Sequence, residues 1–160
     1  MLQLFVDADA CPVKEEAYRV AERHSMVVYV VTCQQMRDPG RPDVTMMCVP
    51  AGPDLADDWI AEHIQPNDIC VSDDIPLAAR CTRKGAVVVN ARGRLLHDGN
   101  IGEALATRDL LEGLRSSGAL SEGRGGGGPA PYTRRDRSRF LEQLEATVRS
   151  IQRKHTSAKI

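Results

Sequence analysis

The sequence lacks the features of membrane-spanning and secreted proteins. Its 160 residues contain no run of eighteen apolar residues, so no transmembrane helix is expected. The N-terminus has no basic segment before its apolar stretch, which argues against a signal peptide. The five cysteines are odd in number and include no Cys-x-x-Cys pair, which favours reduced thiols over a disulfide framework. We therefore expect a cytoplasmic protein without a membrane partner.

Several catalytic and binding classes also lack their signatures. The four histidines have no paired spacing that would suit zinc, and no Gly-x-Ser-x-Gly elbow marks a nucleophilic serine. The glycine run at 125–128 follows no strand and has no Gly-Lys-Ser/Thr ending, so it is interpreted as a flexible linker. Aromatic residues make up only 4% of the chain, too few for a platform on which single-stranded bases stack.

Apolar, β-prone runs alternate with helical patterns through residue 89, and this alternation predicts an α/β fold. We expect a three-layer sandwich with a mostly parallel central sheet and right-handed crossovers. Strands are predicted at 2–6, 26–31, 44–49, 69–71 and 86–89. Helices are predicted at 12–24, 54–63, 74–84, 101–115 and 136–153, with a loop at 90–100.

Three parts of the chain are distinguished by composition. Residues 1–115 form the predicted α/β domain, and residues 116–131 form a Gly-rich linker. Residues 132–160 are predicted to form a basic amphipathic helix that packs on the domain through an apolar stripe. This last part carries eight Lys and Arg against three Asp and Glu, although the whole chain has a net charge of −1. The asymmetry indicates either a polyanionic partner or a solvated helix face.

Pairs of aspartates follow two of the predicted strands. Asp7 and Asp9 come after the first strand, and Asp73 with Asp74 comes after the strand at 69–71. The carboxyl ends of parallel strands are where open α/β sheets bind ligands. A third pair, Asp57 and Asp58, lies one turn inside the helix that Asp54 could cap. Taken singly, each aspartate also has a structural explanation as a helix cap or dipole partner.

Convergence of these carboxylates has an electrostatic cost. Two carboxylates about 4 Å apart repel by roughly 4 kcal/mol at an effective dielectric of 20, so a larger cluster requires protonation or a cation. Oxygen ligands suit Mg²⁺ or Mn²⁺, and the chemistry expected of such a site is metal-assisted hydrolysis of a phosphodiester. The predicted metal ligands are Asp7, Asp9, Asp57, Asp58, Asp73 and Asp74. All except Asp58 are also predicted to be catalytic, one of them as a base.

Basic side chains are predicted to contact the phosphates of the substrate. Lys14 and Arg80 follow the acidic strand ends on the next helices, and arginines cluster after the linker. The predicted substrate-binding residues are Lys14, Arg80, Arg134, Arg135 and Arg137.

Six segments, in order along nearly the whole chain, resemble a known family. They are Val6-Asp-Ala-Asp-Ala-Cys-Pro-Val-Lys14, Ala56-Asp-Asp-Trp-Ile60, Ser72-Asp-Asp-Ile-Pro-Leu-Ala78, Asn100-Ile-Gly-Glu103, Arg108-Asp-Leu110 and Arg134-Arg-Asp-Arg-Ser-Arg-Phe-Leu141. Together they resemble the YaiI/YqxD family of small bacterial proteins. That resemblance implies a relation to PIN and NYN nuclease domains, which are compact α/β folds with an acidic metal site.

The PIN-like pattern can be matched to individual residues. One aspartate follows the first strand, another lies in a mid-chain helix, and one or two follow a later strand. These positions fall on Asp7 with Asp9, on Asp57 or Asp58, and on Asp73 with Asp74. The Asp-Ala-Asp-Ala-Cys-Pro opening and the arginine-rich C-terminal helix depart from the general PIN pattern.

The sequence therefore predicts a Mg²⁺- or Mn²⁺-dependent nuclease that acts on RNA in preference to DNA. Two alternatives remain open: a nucleic-acid or nucleotide binder without catalysis on the same fold, and a phosphatase of small phosphoesters. The sequence gives no indication of an oligomeric state.

Overall fold

The computed structural model describes residues 2–9, 11–118 and 131–158. Within this range the strands are β1 (Gln3–Asp7), β2 (Val27–Thr32), β3 (Val44–Cys48), β4 (Ile69–Val71), β5 (Val87–Val89) and β6 (Leu95–Leu96). The helices are α1 (Lys14–Arg23), α2 (Leu55–His63), α3 (Ile75–Arg83), α4 (Ile101–Ser116) and α5 (Arg134–Ala158). Most of the predicted linker, residues 119–130, lies outside the described residues.

The strands form one sheet in the order β3-β2-β1-β4-β5-β6. All neighbours pair in parallel except β5 and β6, which are antiparallel. The predicted α/β fold with a mostly parallel sheet is therefore confirmed. The short strand β6 was not expected, because a two-residue strand within the loop at 90–100 has no periodicity that a sequence pattern could reveal.

Helices cover both faces of the sheet because side chains along each strand alternate between faces. Leu4 and Val6 of β1 belong to one core cluster, which α1 and α5 complete. Phe5 of the same strand belongs to the other cluster, to which α2, α3 and α4 contribute side chains. The central strands are thus apolar on both sides, as parallel strands buried between helices usually are.

Helix α5 is attached to the first face by apolar contacts and ion pairs. Phe140, Leu144 and Val148 are fully buried, and each such side chain stabilises the fold by roughly 1.5–3 kcal/mol. Glu145 in the middle of the helix forms ion pairs with Arg23 and His24 at the end of α1. The basic C-terminal helix is therefore part of the folded core, and its arginines are carried on a fixed element.

No helix in the described part of the chain is both long enough and apolar enough to cross a membrane.

The loop between β5 and β6 approaches α5 too closely for a side chain at Gly93. Gly93 has a φ of +85°, and a Cβ there would lie 2.6 Å from the backbone carbonyl of Arg139. We expect Gly93→Ala to lower the free energy of unfolding by about 2 kcal/mol or more, because it adds backbone strain to a steric clash. Urea unfolding followed by circular dichroism measures the change.

Gly113 on α4 provides the matched control for this substitution. A Cβ at Gly113 meets nothing within 4 Å and its backbone is helical, so Gly113→Ala should stabilise the protein by about 0.5–1 kcal/mol. Equal effects of the two substitutions would contradict the close approach of the loop to α5.

Candidate active site

The candidate site lies where the strand order reverses, between β1 and β4. Ligand sites of open α/β sheets are found at this switch point, outside the carboxyl ends of the strands. Here β1 ends in Asp7, and β4 is followed by Ser72, Asp73 and Asp74. A cavity of about 230 Å³ opens at this edge. It is lined by Asp7, Asp9, Cys11, Pro12, Val71, Ser72, Asp73, Asp74 and Ala91.

Ser72 connects the two strand ends. Its Oγ donates a hydrogen bond to Asp7 Oδ2 (2.9 Å), and the backbone N–H of Asp74 donates to the same Oγ (3.0 Å). The sequence analysis did not identify Ser72 as part of the site. Its position directly before two aspartates was a signal, but the parallel pairing of β1 with β4 is needed to bring it to Asp7.

Burial raises the pKa of Asp7 to about 6. The hydrogen bond from Ser72 lowers this pKa, whereas the negative charges of Asp74, Asp9 and Asp73 raise it further. The charges of the other carboxylates therefore oppose the ionisation of Asp7.

Asp9 lines the same cavity, but both of its oxygens are already hydrogen-bonded. Thr32 Oγ1 donates to Oδ1 (2.7 Å), and the backbone N–H and Sγ of Cys33 both donate to Oδ2 (3.2 and 3.1 Å). Burial alone would raise the pKa of Asp9, but these bonds and the charge of Lys14 outweigh it, so the pKa is lowered. Asp9 thereby fastens the loop after β1 to the end of β2.

Asp73 and Asp74 each use one carboxylate oxygen in a local hydrogen bond. Asp73 Oδ1 accepts from the backbone N–H of Ala91 (2.8 Å), and Asp74 Oδ1 caps α3 by accepting from Leu77 N–H (2.9 Å). Asp7 likewise uses one oxygen, toward Ser72. No described residue donates a hydrogen bond to the second oxygen of any of the three. Because all three residues line the cavity, those oxygens are candidate ligand atoms.

The predicted cap at the start of α2 was wrong. Asp54 has a left-handed φ of +62° and its side chain makes no capping hydrogen bond, in contrast to Asp74 at the start of α3. A cap requires an extended backbone from which the side chain can reach the next N–H groups, and Asp54 does not have that conformation.

Asp57 and Asp58 have different surroundings. Burial raises the pKa of Asp57 to about 6, and the charges of Asp74 and Asp7 add to the effect, so Asp57 lies on the side of α2 that faces the site. Asp58 instead forms an ion pair with Arg80 (2.7 Å). Neither is among the residues that line the cavity, and Asp58 is neutralised by its partner.

The predicted substrate-binding side chains are not gathered in one place. Lys14 Nζ donates to the carbonyl oxygen of Cys11 (2.8 Å), at the edge of the cavity. Arg80 is paired with Asp58, and Arg137 with Glu16 (3.2 Å). Two further arginines, Arg134 and Arg135, are exposed in the first turn of α5, and no ion pair to them is found among the described residues.

The start of α5 is nevertheless tied to the wall of the cavity. The hydroxyl of Tyr132 donates to the carbonyl oxygen of Ala91 (2.8 Å), and the N–H of Ala91 donates to Asp73. Thr133 and Asp136 form reciprocal capping bonds, in which each side chain accepts from the backbone N–H of the other. Asp136 also pairs with Arg92 (2.9 Å), the residue after Ala91. These contacts hold the basic turn beside the acidic strand ends.

Thiol chemistry is not favoured at this site. All five cysteines are free, and Cys11 lines the cavity. Burial raises the pKa of the Cys11 thiol above its ordinary value, so little reactive thiolate is present near neutral pH.

The donor set fits a hard divalent cation better than zinc. Carboxylate and hydroxyl oxygens face the cavity described above, and no histidine lines it. Among the described residues, no group of three or more His, Cys, Asp or Glu is arranged closely enough to hold an ion directly. A Mg²⁺ ion retains several waters and is usually bound by only one or two carboxylates, together with substrate phosphates. Asp7, Asp73 and Asp74 could provide these ligands.

Comparison with known proteins gives a consistent family relationship. A sequence model of the family described as "Uncharacterized BCR, YaiI/YqxD family" matches residues 5–150. A UPF0178 protein of Parvibaculum lavamentivorans is 52% identical over 154 residues, which cover 96% of this chain and 98% of the relative. One from Rhodospirillum rubrum is 48% identical over 153 residues, covering 95% and 99%. No solved structure matches the chain.

The raised pKa of Asp7 makes stability depend on pH in a defined direction. The folded state binds this proton more tightly than the unfolded chain, in which the pKa is 3.8. The contribution to stability is therefore complete below that value and is lost as the pH rises through about 6. The side chain in Asp7→Asn cannot ionise, so this variant does not lose that contribution. Its free energy of unfolding relative to wild type should therefore rise by about 2 kcal/mol between about pH 4 and about pH 7.

Urea unfolding at a series of pH values, in the presence of EDTA, measures this difference. Asp98→Asn is the matched control, because Asp98 is exposed beyond β6 and does not line the acidic cavity. If both variants follow the same pH dependence relative to wild type, the crowding of carboxylates around Asp7 is contradicted.

Proposed function

The chain belongs to the YaiI/YqxD family, and from the geometry of its acidic cavity we propose that it is a Mg²⁺- or Mn²⁺-dependent nuclease with a PIN-like fold. RNA is the proposed substrate. One observation carries the proposal: carboxylates from two neighbouring strand ends line one cavity at the switch point of the sheet, and their mutual repulsion contributes to the raised pKa of Asp7.

A bound divalent cation would supply positive charge for the scissile phosphate and would ease deprotonation of the attacking water. One or two of the carboxylates of Asp7, Asp73 and Asp74 are proposed to hold it, with water in the remaining positions. Ser72 orients Asp7, and Asp9 holds the loop after β1 in place through its hydrogen bonds with Thr32 and Cys33. Asp57, whose pKa is about 6 and on which the charges of Asp74 and Asp7 act, is proposed to receive a proton near neutral pH.

The basic first turn of α5 is proposed to hold the strand on the far side of the scissile phosphate. Arg134 and Arg135 are exposed there, and the contacts of Tyr132 and Asp136 fix the turn beside Ala91. Phosphate contacts of this kind position a strand without reading its sequence. We therefore expect cleavage to depend little on the base sequence of the strand.

Incubation of the purified protein with end-labelled single-stranded RNA tests the proposal. We expect cleavage with Mn²⁺ or Mg²⁺, none with EDTA, and a loss of about 100-fold or more in Asp7→Asn. Calorimetry should show Mn²⁺ binding that is lost in the same variant, while Asp98→Asn keeps both properties.

The alternatives predict different results in the same experiment. Binding of RNA and DNA without cleavage in any of the metals would indicate a non-catalytic binder. Release of inorganic phosphate from small esters, with RNA left intact, would indicate a phosphatase. Either result contradicts the nuclease proposal.

Ser72 is proposed to be a positioning residue, and its substitution should change the pH profile of cleavage. The hydrogen bond from Ser72 lowers the pKa of Asp7, so Ser72→Ala should raise that pKa and move the acidic limb of the profile to higher pH. Activity at neutral pH should fall about 10-fold, as is typical when a partner of a ligating group is lost. Ser72→Thr keeps the hydroxyl and should restore the wild-type profile; an unshifted limb in Ser72→Ala would contradict this role.

A further inference from the structure

A second, larger cavity of about 970 Å³ lies between α1 and the loop at 33–43. Its volume falls within the range of about 300–1,000 Å³ that is usual for ligand sites. Cys11 and Pro12 line both this groove and the acidic cavity, so the two spaces are neighbours that share one wall. The residues that line the groove include Cys11, Lys14, Met36, Arg37, Arg41 and Met46.

The rim of the groove carries charges of both signs, because Lys14, Arg37 and Arg41 line it together with Glu15 and Asp38. Arg37 is exposed, and no ion pair or hydrogen bond from its side chain is found among the described residues. Lys14 uses one of its three donors on the carbonyl oxygen of Cys11 and keeps two for a ligand. Arg41 is different, because Glu22 (2.9 Å) and Glu15 (3.9 Å) hold its guanidinium close to the ring of Tyr18. Arg37 and Lys14 are therefore the cations available to an anion.

Two methionines give part of the groove an apolar, adaptable lining. Met36 and Met46 line it and are only partly buried, with the rest of each side chain against the core cluster. Thioether side chains are flexible and polarizable, and they accept flat apolar ligands of different shapes. Tyr18 is almost completely buried, so it cannot provide an exposed stacking face. A ligand with one flat apolar part and one anionic part fits this combination.

We propose that this groove binds a nucleotide of single-stranded RNA next to the scissile phosphate, with the base against Met36 and Met46 and a phosphate at Arg37 and Lys14. The inference rests on the proposed nuclease function, because it takes the acidic cavity as the place of cleavage. It also explains how a chain with few aromatic residues can hold a base. Binding should tolerate all four bases, since thioether contacts carry no hydrogen-bond pattern.

Methionine-methyl NMR tests the position of the base directly. The probe is a mixed-sequence, single-stranded hexaribonucleotide added to the full-length protein in EDTA, so that the strand stays intact. The methyl signals of Met36 and Met46 should shift. Those of Met26, which is buried, and Met47, which contacts the core cluster on the other face of the sheet, should stay in place.

Fluorescence anisotropy with the same strand tests the charge. Arg37→Glu should weaken binding at least 10-fold, whereas Arg19→Glu should change it less than 2-fold. Arg19 is exposed on α1 but does not line the groove, so Arg19→Glu makes the same change of charge outside it. Unchanged Met26 and Met47 signals in both variants verify that the fold is kept.

The outcomes separate this inference from the proposed function. Methyl shifts at Met36 and Met46 without metal-dependent cleavage would support the groove and overturn the nuclease. Cleavage with no shift at these methyls, or equal weakening by Arg37→Glu and Arg19→Glu, would overturn the groove and leave the nuclease standing. If pyrophosphate alone shifts the same methyls with comparable affinity, the groove is a small-anion site and the nucleotide proposal is wrong.

Discussion

The parallel pairing of β1 with β4 is the contact on which the rest of the site depends. These strands are neighbours in the sheet, although more than sixty residues separate them in the chain. Leu4 lies opposite Ile69, and Val6 lies opposite Val71. The register places Asp7 beside Ser72, and a hydrogen bond joins these two residues that line the acidic cavity. Burial of both strands between two helical layers favours that register, because each side chain is packed against particular partners in one of the two core clusters.

The aspartates of the site have structural and chemical roles at the same time. Asp73 holds the loop at Ala91 and Asp74 caps α3, yet no described residue donates a hydrogen bond to the second oxygen of either. Asp9 differs because Thr32 and Cys33 occupy both of its oxygens. The carboxylates therefore remain close despite their repulsion because local hydrogen bonds to one oxygen compensate part of the electrostatic cost. The oxygens that accept no such hydrogen bond are the ones available to a cation.

Helix α5 gives the acidic edge a basic neighbour. Its apolar side is anchored in the core by Phe140 and Leu144, and its first turn is fastened to the loop after β5 by Tyr132 and Asp136. Lys14 and Arg37 line the larger groove, which shares Cys11 and Pro12 with the acidic cavity. Basic side chains thus lie near a negatively charged centre, an arrangement suited to a polyanionic strand that passes a cation site.

Local patterns in the sequence were sufficient for the order and type of most elements, for the apolar stripe of α5, and for the aspartates that follow strands. Each of these depends on neighbours within a few residues, where hydrophobic period and capping chemistry act. The sequence could not reveal that Ser72 binds Asp7, that Asp58 is paired with Arg80, or that Arg37 faces a groove shared with Cys11. It also failed for β6 and for the cap at Asp54. Those features depend on strand register and on contacts between distant segments, so only the tertiary structure decides which oxygen or guanidinium is left for a ligand.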